Sequence, residues 1–248
     1  MKTNKSSMMT VLAIAVMAGV SILISCNKTD DLNPVNQNSA PGLKVSDNSL
    51  VFPANANMFG KTYAEWGEAF FNWQVGFDCE HYPYYDQTGA LQNQNQSGPV
   101  FFLAGAPLKP APLTTNREVT VPANVSLFVP LIYYYSNTCE AAPMDDLVGD
   151  VTGFTGVMDQ LTLTIDGVSV NANNYKTITP VFNYTANADL ANCTGDLCFD
   201  GQQHEAALGG YWVILKKLSP GDHIIHTTGG ASAVFPVLKD VIWTIHQQ

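Results

Sequence analysis

Leu161-Thr-Leu-Thr-Ile165, Asp166-Gly167 and Val168-Ser-Val170 form the stretch that decides the fold class. Apolar and polar residues alternate on both sides of Asp166-Gly167, the period of two that lays one face of a strand on a core. Asp-Gly between two such runs favours a type I′ turn, whose central residues both need positive φ, so the stretch predicts a β-hairpin. Downstream, Tyr175 to Tyr184 continues in β character, and Tyr211-Trp212-Val213-Ile214-Leu215 is apolar on both faces, as a central strand would be. Pro220-Gly221 is a turn. His223 to Thr227 and Asp240 to His246 are the last strands, with Val241, Trp243 and Ile245 facing one way. Upstream, Gly98 to Gly105 is a short apolar strand bounded by turn residues, followed by Glu118 to Pro122 and Val125 to Tyr135. In the last of these Val125, Leu127, Val129 and Leu131 alternate, and Pro130 predicts an edge or a bulge. Eight or more short strands separated by turns predict a mainly β chain, a single β-sandwich or jelly-roll-like domain.

Two helices interrupt the strands. Over about 61–77, Trp66, Phe70, Trp73 and Phe77 recur at i, i+4, i+7 and i+11 and make one aromatic stripe. Thr62 is the expected N-cap, with Glu65 completing a capping box. Over about 145–159, Leu147, Val151, Phe154 and Met158 hold a helical spacing that Gly149, Gly153 and Gly156 weaken. Between the first helix and the first strand run Cys79-Glu-His81-Tyr-Pro-Tyr-Tyr-Asp86 and an amide-rich piece, Gln92 to Gln96, a mixture found in binding loops and in ordinary surface loops alike.

The N-terminal 25 residues read as an address. Lys2 and Lys5 precede an apolar run from Met8 to Ile24, about as long as a short transmembrane helix. It ends Leu23-Ile-Ser-Cys26, which resembles the lipobox of bacterial lipoproteins, where the cysteine is lipidated and becomes the first mature residue. Asp30-Asp31 soon after Cys26 resembles the surface-export signal of Bacteroidota lipoproteins; a merely polar tether is the plainer alternative. The expected organisation is a signal peptide over 1–25, a flexible Asn- and Pro-bearing tether over 26–50, and a β-rich domain over 51–248.

Composition narrows the function. The 248 residues carry a net charge of −10, only 13% are charged and 46% are hydrophobic. That is too apolar for a disordered chain and too poor in charge for a coiled coil. Loss of Lys2 and Lys5 with the signal makes the mature charge −12, which excludes a phosphate-neutralising nucleic-acid binder. With Cys26 lipidated, Cys79, Cys139, Cys193 and Cys198 remain, an even number that predicts disulfides in an exported chain. Cys193-Thr-Gly-Asp-Leu-Cys198 is short and turn-rich, so these two are expected to pair, leaving Cys79 with Cys139. Chain-entropy arithmetic gives about 4 kcal/mol for the long loop and about 2 for the short one. A zinc site is the competing reading, disfavoured by the spacing.

Several motifs resemble one family. Tyr63-Ala-Glu-Trp66 with Phe70-Phe-Asn-Trp73 is similar to the Y-x-E-W…W-W-Q-W opening of a widespread group of uncharacterised secreted bacterial proteins. Gln96-Ser-Gly-Pro-Val-Phe-Phe-Leu-Ala-Gly105 resembles that group's Q-x-G-P-V-x-F-L-A-G. Ile165-Asp-Gly167, Gly210-Tyr-Trp212 and Ser219-Pro-Gly-Asp-His-Ile-Ile-His226 echo its later half, so the likeness runs over about residues 58–246. This chain departs from it with Phe70 and Phe71 where Trp is usual and Asn72 where Gln is. The resemblance implies one domain and carries over no catalytic role.

Familiar catalytic signatures are missing. There is no G-x-G-x-x-G, P-loop, G-x-S-x-G, H-E-x-x-H or His-x-His. His223 and His226, three apart on a strand, point to opposite faces and cannot share a metal there. No metal and no cofactor are expected. The candidate ligand or catalytic residues are Glu65, Glu68, Trp66, Trp73, His81, Gln96 and His223. Glu65 and Glu68 have plainer roles at a helix N-terminus, and the aromatic stripe as core. The expectation is an outer-membrane, lipid-anchored protein on the cell surface or periplasmic face. It would be a non-catalytic binding or structural module whose partners are the membrane, through its lipid, and a glycan or envelope protein. A polysaccharide-acting hydrolase or lyase using carboxylates near the first helix is the alternative. Replacing Cys26 by Ala should abolish incorporation of labelled palmitate in the native host; retained label would refute the lipobox assignment.

Overall fold

Asp166 and Gly167 take φ of 49° and 77°, the pair of positive values that a type I′ turn requires. They join β4 (Gln160–Ile165) to β5 (Val168–Ser169), with Ile165 opposite Val168. This comes from a computed structural model that describes residues 50–107, 114–139, 144–233 and 235–248. The expected signal peptide, the expected lipidation site Cys26 and the expected tether up to residue 49 lie outside the described residues. The described residues belong to one compact unit, Lys44–Gln248. Among them no helix is long and apolar enough to cross a membrane.

The hairpin is one edge of a five-stranded sheet. β9 (Gly221–Ala231) pairs with β4, β10 (Phe235–Gln247) with β9, and β2 (Thr115–Val121) runs parallel to β10 at the other edge. Val241, Trp243 and Ile245 of β10 are all fully buried. Along β2 burial alternates strictly, but the inward set is Thr115, Arg117, Val119 and Val121. Two polar residues at inward positions hid the start of this strand from hydrophobic patterning.

The other sheet has β1 (Val100–Phe102), β3 (Ser126–Asn137), β8 (Gln203–Leu215) and β6 (Lys176–Ile178) in that order, with β6 on the middle of β8 and β7 (Phe182–Thr185) pairing with its N-terminal end. β1 is parallel to β3, so each sheet carries one parallel pair, at an edge. The chain is thus mainly β, with two mixed sheets and few helices. Pro130 lies in β3, an interior strand, which accommodates the missing N–H by a register shift between Pro130 and Ile132.

β8 is buried from Ala206 to Leu215 because both of its faces are covered. α1 (Tyr63–Val75) lies on one face, held by the Trp212 indole N–H donating to the Tyr63 carbonyl at 3.2 Å. Gly67 makes the approach possible: a Cβ there would come 2.7 Å from Trp212 Cζ2. α2 (Met144–Gly156) lies on the other face, where Leu147 and Val151 pack on Ala207 and a Cβ at Gly209 would sit 2.8 Å from that of Val151. The second sheet meets this same face where Ile132, paired across from Tyr211, touches Gly229 of β9. One core cluster runs through both sheets and α1.

The cysteines form two disulfides, but not with the expected partners. Cys79 bonds Cys193 and Cys139 bonds Cys198, at sequence separations of 114 and 59. The short loop does not close on itself because a helical turn, α3 (Ala191–Thr194), is reversed by Gly195 at φ 75°. Cys193 and Cys198 then each bond a cysteine from a different, distant part of the chain. Asp196, drawn inward, fixes this: its carboxylate accepts from Tyr135 Oη at 2.7 Å, Asn137 Nδ2 at 3.1 Å and the Cys198 amide at 2.8 Å. Loops of these lengths correspond to roughly 4–5 kcal/mol each by chain entropy. Peptide mapping without reductant should recover Cys79-containing peptides linked to Cys193 and Cys139-containing peptides linked to Cys198; a Cys193–Cys198 product would contradict the fold.

Candidate functional site

The aromatic stripe of α1 divides between core and surface. Phe70 is fully buried and stacks on Phe128 with centroids 4.6 Å apart. Trp73 instead, with the margin of the buried Trp66, forms one wall of a cleft of about 520 Å³, completed by Phe102 and Pro99. Trp66 is 5% exposed and its indole donates to the Met58 carbonyl at 3.0 Å, so only its margin reaches the cleft. Trp73 is half-buried, with its indole N–H donated to the Gln94 carbonyl at 3.1 Å. Phe102 lies 6.2 Å from Trp66 and 5.5 Å from Trp73, centroid to centroid. The rim is polar: Lys61, Asn72, Asn95 and Ser97.

The opposite lip is the amide-rich piece, and its glutamines act as internal clamps. Gln96 accepts from the Phe102 amide at 2.9 Å and donates to the Phe102 carbonyl at 2.8 Å, so its side chain mimics a neighbouring strand. Gln92, fully buried, donates to the Pro83 carbonyl and accepts from the Ala104 amide at 2.7 Å. Asn95 and Gly98 take positive φ of 53° and 79°, which turns the lip back toward α1.

The structure brings Trp66 and Trp73 together and leaves the other candidates elsewhere. Glu65 is exposed and forms the capping box, accepting from Thr62 N at 2.7 Å and Thr62 Oγ1 at 2.8 Å. Those hydrogen bonds hold its carboxyl below the usual range. Glu68 is pushed up, first by partial burial and then by the neighbouring Glu65 charge. His81 pairs with Asp78 at 2.8 Å on the surface. Gln96 is the clamp just described, and Glu65, Glu68 and His81 do not line the cleft. Among the described residues no carboxylate lines it. His223 sits on the other sheet, bonded to Asp166 at 2.7 Å and to the Ser219 carbonyl at 2.9 Å, and His226 is held by Asp240 at 2.8 Å. Cys139, Cys198 and His204 bring their ligand atoms within 4.8 Å of one another. The disulfide between the two cysteines removes the thiolates a metal would need.

Sequence reading missed the buried cations. Arg117 is 1% exposed and donates to four carbonyls, those of Tyr84, Asp86, Ala104 and Gly105. Burial lowers its pKa to about 10. Lys239 is 3% exposed and lies close to it. Strict alternation in β2 was the available signal for Arg117; nothing local marked Lys239.

No protein-family profile and no curated protein matches the chain. A solved structure described as "Structure of PbICP-C in complex with falcipain-2" aligns with 61% of this chain and all of that one, at 12% identity and a TM-score of 0.26. So slight a likeness carries no argument about fold or function.

The His223–Asp166 pair has a defined pH signature. Burial works against the charged imidazole, but the Asp166 hydrogen bond, the Ser219 carbonyl and the charges of Asp166 and Asp222 outweigh it and raise the His223 pKa above 6.5. Its stabilising contribution is therefore complete below pH 6.5 and is lost as pH rises through the folded value. Asp166→Asn, which suits the same turn, should lower the His223 pKa in an NMR titration while keeping the hairpin. An unchanged titration would show the pair to be inert.

Proposed function

We propose that this protein is an envelope lipoprotein, anchored through Cys26, whose β-sandwich, jelly-roll-like domain binds a glycan in the cleft beside α1. The observation that carries the reading is the cleft wall of Trp66, Trp73 and Phe102 under a rim of Asn72, Asn95, Ser97 and Lys61. Aromatic faces suit the C–H faces of sugar rings, and amide and hydroxyl groups suit their hydroxyls. The disulfides support an oxidising, extracytoplasmic location, and the lipobox-like Leu23–Cys26 supports an outer-membrane anchor on the surface or periplasmic face. A non-catalytic role is favoured over hydrolysis because Glu65 is engaged as a helix cap and neither Glu65 nor Glu68 lines the cleft.

The mature protein should bind members of a bacterial and host glycan panel with quenching of tryptophan fluorescence. Trp73→Ala should weaken that binding about tenfold or more, as loss of a central aromatic contact does, while Trp73→Phe retains most of it. Equal binding by wild type and Trp73→Ala would place the ligand elsewhere. Polysaccharide turnover by the wild type that Glu68→Gln removes would establish the hydrolase alternative.

A further inference from the structure

A second cavity, of about 260 Å³, opens between β3, α2 and the chain segment that follows α1. Its walls are aromatic, chiefly Tyr84, Tyr133, Tyr134 and Phe154. Lys239 of β10 lines it while being 97% buried, its Nζ 4.6 Å from the Tyr133 ring centroid and 5.7 Å from that of Tyr84. Gly105 gives the ammonium its room, because a Cβ there would clash with Nζ. Among the described residues Lys239 makes no ion pair and donates no hydrogen bond; its contacts are ring faces.

The surroundings sharpen the imbalance. Arg117 adds a second buried cation nearby, and its donors are spent on carbonyls rather than on a carboxylate. The hydroxyls of Tyr133 and Tyr82 are bridged through Gln74, at 2.6 and 3.1 Å, so they shape the wall without meeting the lysine. A buried charge without a counter-charge is costly, and it is relieved by losing its proton or by gaining an anion. Burial, helped by the Arg117 charge, lowers the Lys239 pKa to about 7.

We propose that this cavity is a binding site for a small aromatic carboxylate, with the carboxylate on Lys239 Nζ and the ring between the tyrosines. The cation gives a charge-assisted hydrogen bond in a dry setting, and the tyrosine faces give a planar, apolar body its contact area. The site is separate from the cleft beside α1 and does not depend on what that cleft binds.

Benzoate and its neutral isostere benzamide test this on the mature protein by calorimetry. Benzoate should bind, and benzamide should bind about tenfold or more weaker. Affinity for benzoate should fall as pH rises from 6 to 9, since only protonated Lys239 holds it. Tyr85, Tyr134 and Tyr135 also line the cavity, and the charged and buried groups packed around it keep their charge state in that window. Arg117 from β2 stays cationic and Asp86 anionic, while Tyr82, Tyr84 and Tyr133 are all held above their ordinary range by burial and stay neutral. Asp196 is already hydrogen-bonded by Tyr135 and Asn137. Lys239→Met should lose the preference for benzoate over benzamide and keep or raise the Tm, because an apolar isostere replaces an unpaired charge. In wild type, ¹⁵N-lysine NMR should show the Lys239 resonance move and its pKa rise on adding benzoate. Equal binding of both probes, no binding at millimolar benzoate, an unmoved resonance, or undiminished binding by Lys239→Met would each overturn the proposal.

Discussion

The contact of Trp212 with Gly67 is the constraint on which the rest of the domain hangs. A side chain on Gly67 would need α1 to lift from β8, at a cost of about 1–3 kcal/mol for overpacking of this kind. With α1 seated, the Tyr63 hydroxyl donates to the Phe52 carbonyl and accepts from the Ile214 amide, tying the N-terminal segment to β8. The same seating sets Phe70 on Phe128 and turns Trp66 and Trp73 toward Phe102. The cleft is thus a by-product of how closely a helix can approach a strand.

How much of this could be read in the chain depended on how far each instruction reaches. The hairpin at Asp166-Gly167 and the Thr62–Glu65 capping box are set by residues within four positions of one another, and both form where their residues lie. The break at Pro130 is equally local, although only the structure shows that it falls in an interior strand. β2 was partly concealed because Thr115 and Arg117 face inward among apolar neighbours. The disulfide pairing was hidden because it follows from the direction the chain takes after Gly195 and from a carboxylate, Asp196, gripped by residues some 60 positions away. Candidate-site residues followed the same rule. Trp66 and Trp73 announced themselves by helical spacing, but their polar companions Asn95 and Ser97 arrive on a loop whose shape depends on two glutamine clamps.

The two cavities differ in physical kind. The cleft beside α1 is open and edged with neutral amides and hydroxyls, with one flexible lysine that rests over the Trp66 ring at 5.9 Å. Recognition there would be by shape and many weak contacts. The tyrosine-walled cavity contains a single cation that the described fold does not neutralise. Recognition there would be dominated by one charge, and it would be sensitive to pH where the cleft is not. The two buried cations are surrounded by carbonyl oxygens and ring faces, whereas the buried carboxylate of Asp196 is held by hydrogen bonds from Tyr135, Asn137 and the Cys198 amide.

The disulfide connectivity also governs what a protease could do to this chain. The loops closed by Cys79–Cys193 and Cys139–Cys198 overlap, so every peptide bond from Cys79 to Cys198 lies inside at least one of them. A single cut anywhere in that span leaves both pieces covalently joined, with β8 still attached through Cys198 to the strand it pairs with. Had Cys193 closed on Cys198, any cut between Cys139 and Cys193 would have released the C-terminal half of the molecule. The pairing that the local spacing concealed is the one that lets a nicked domain stay whole.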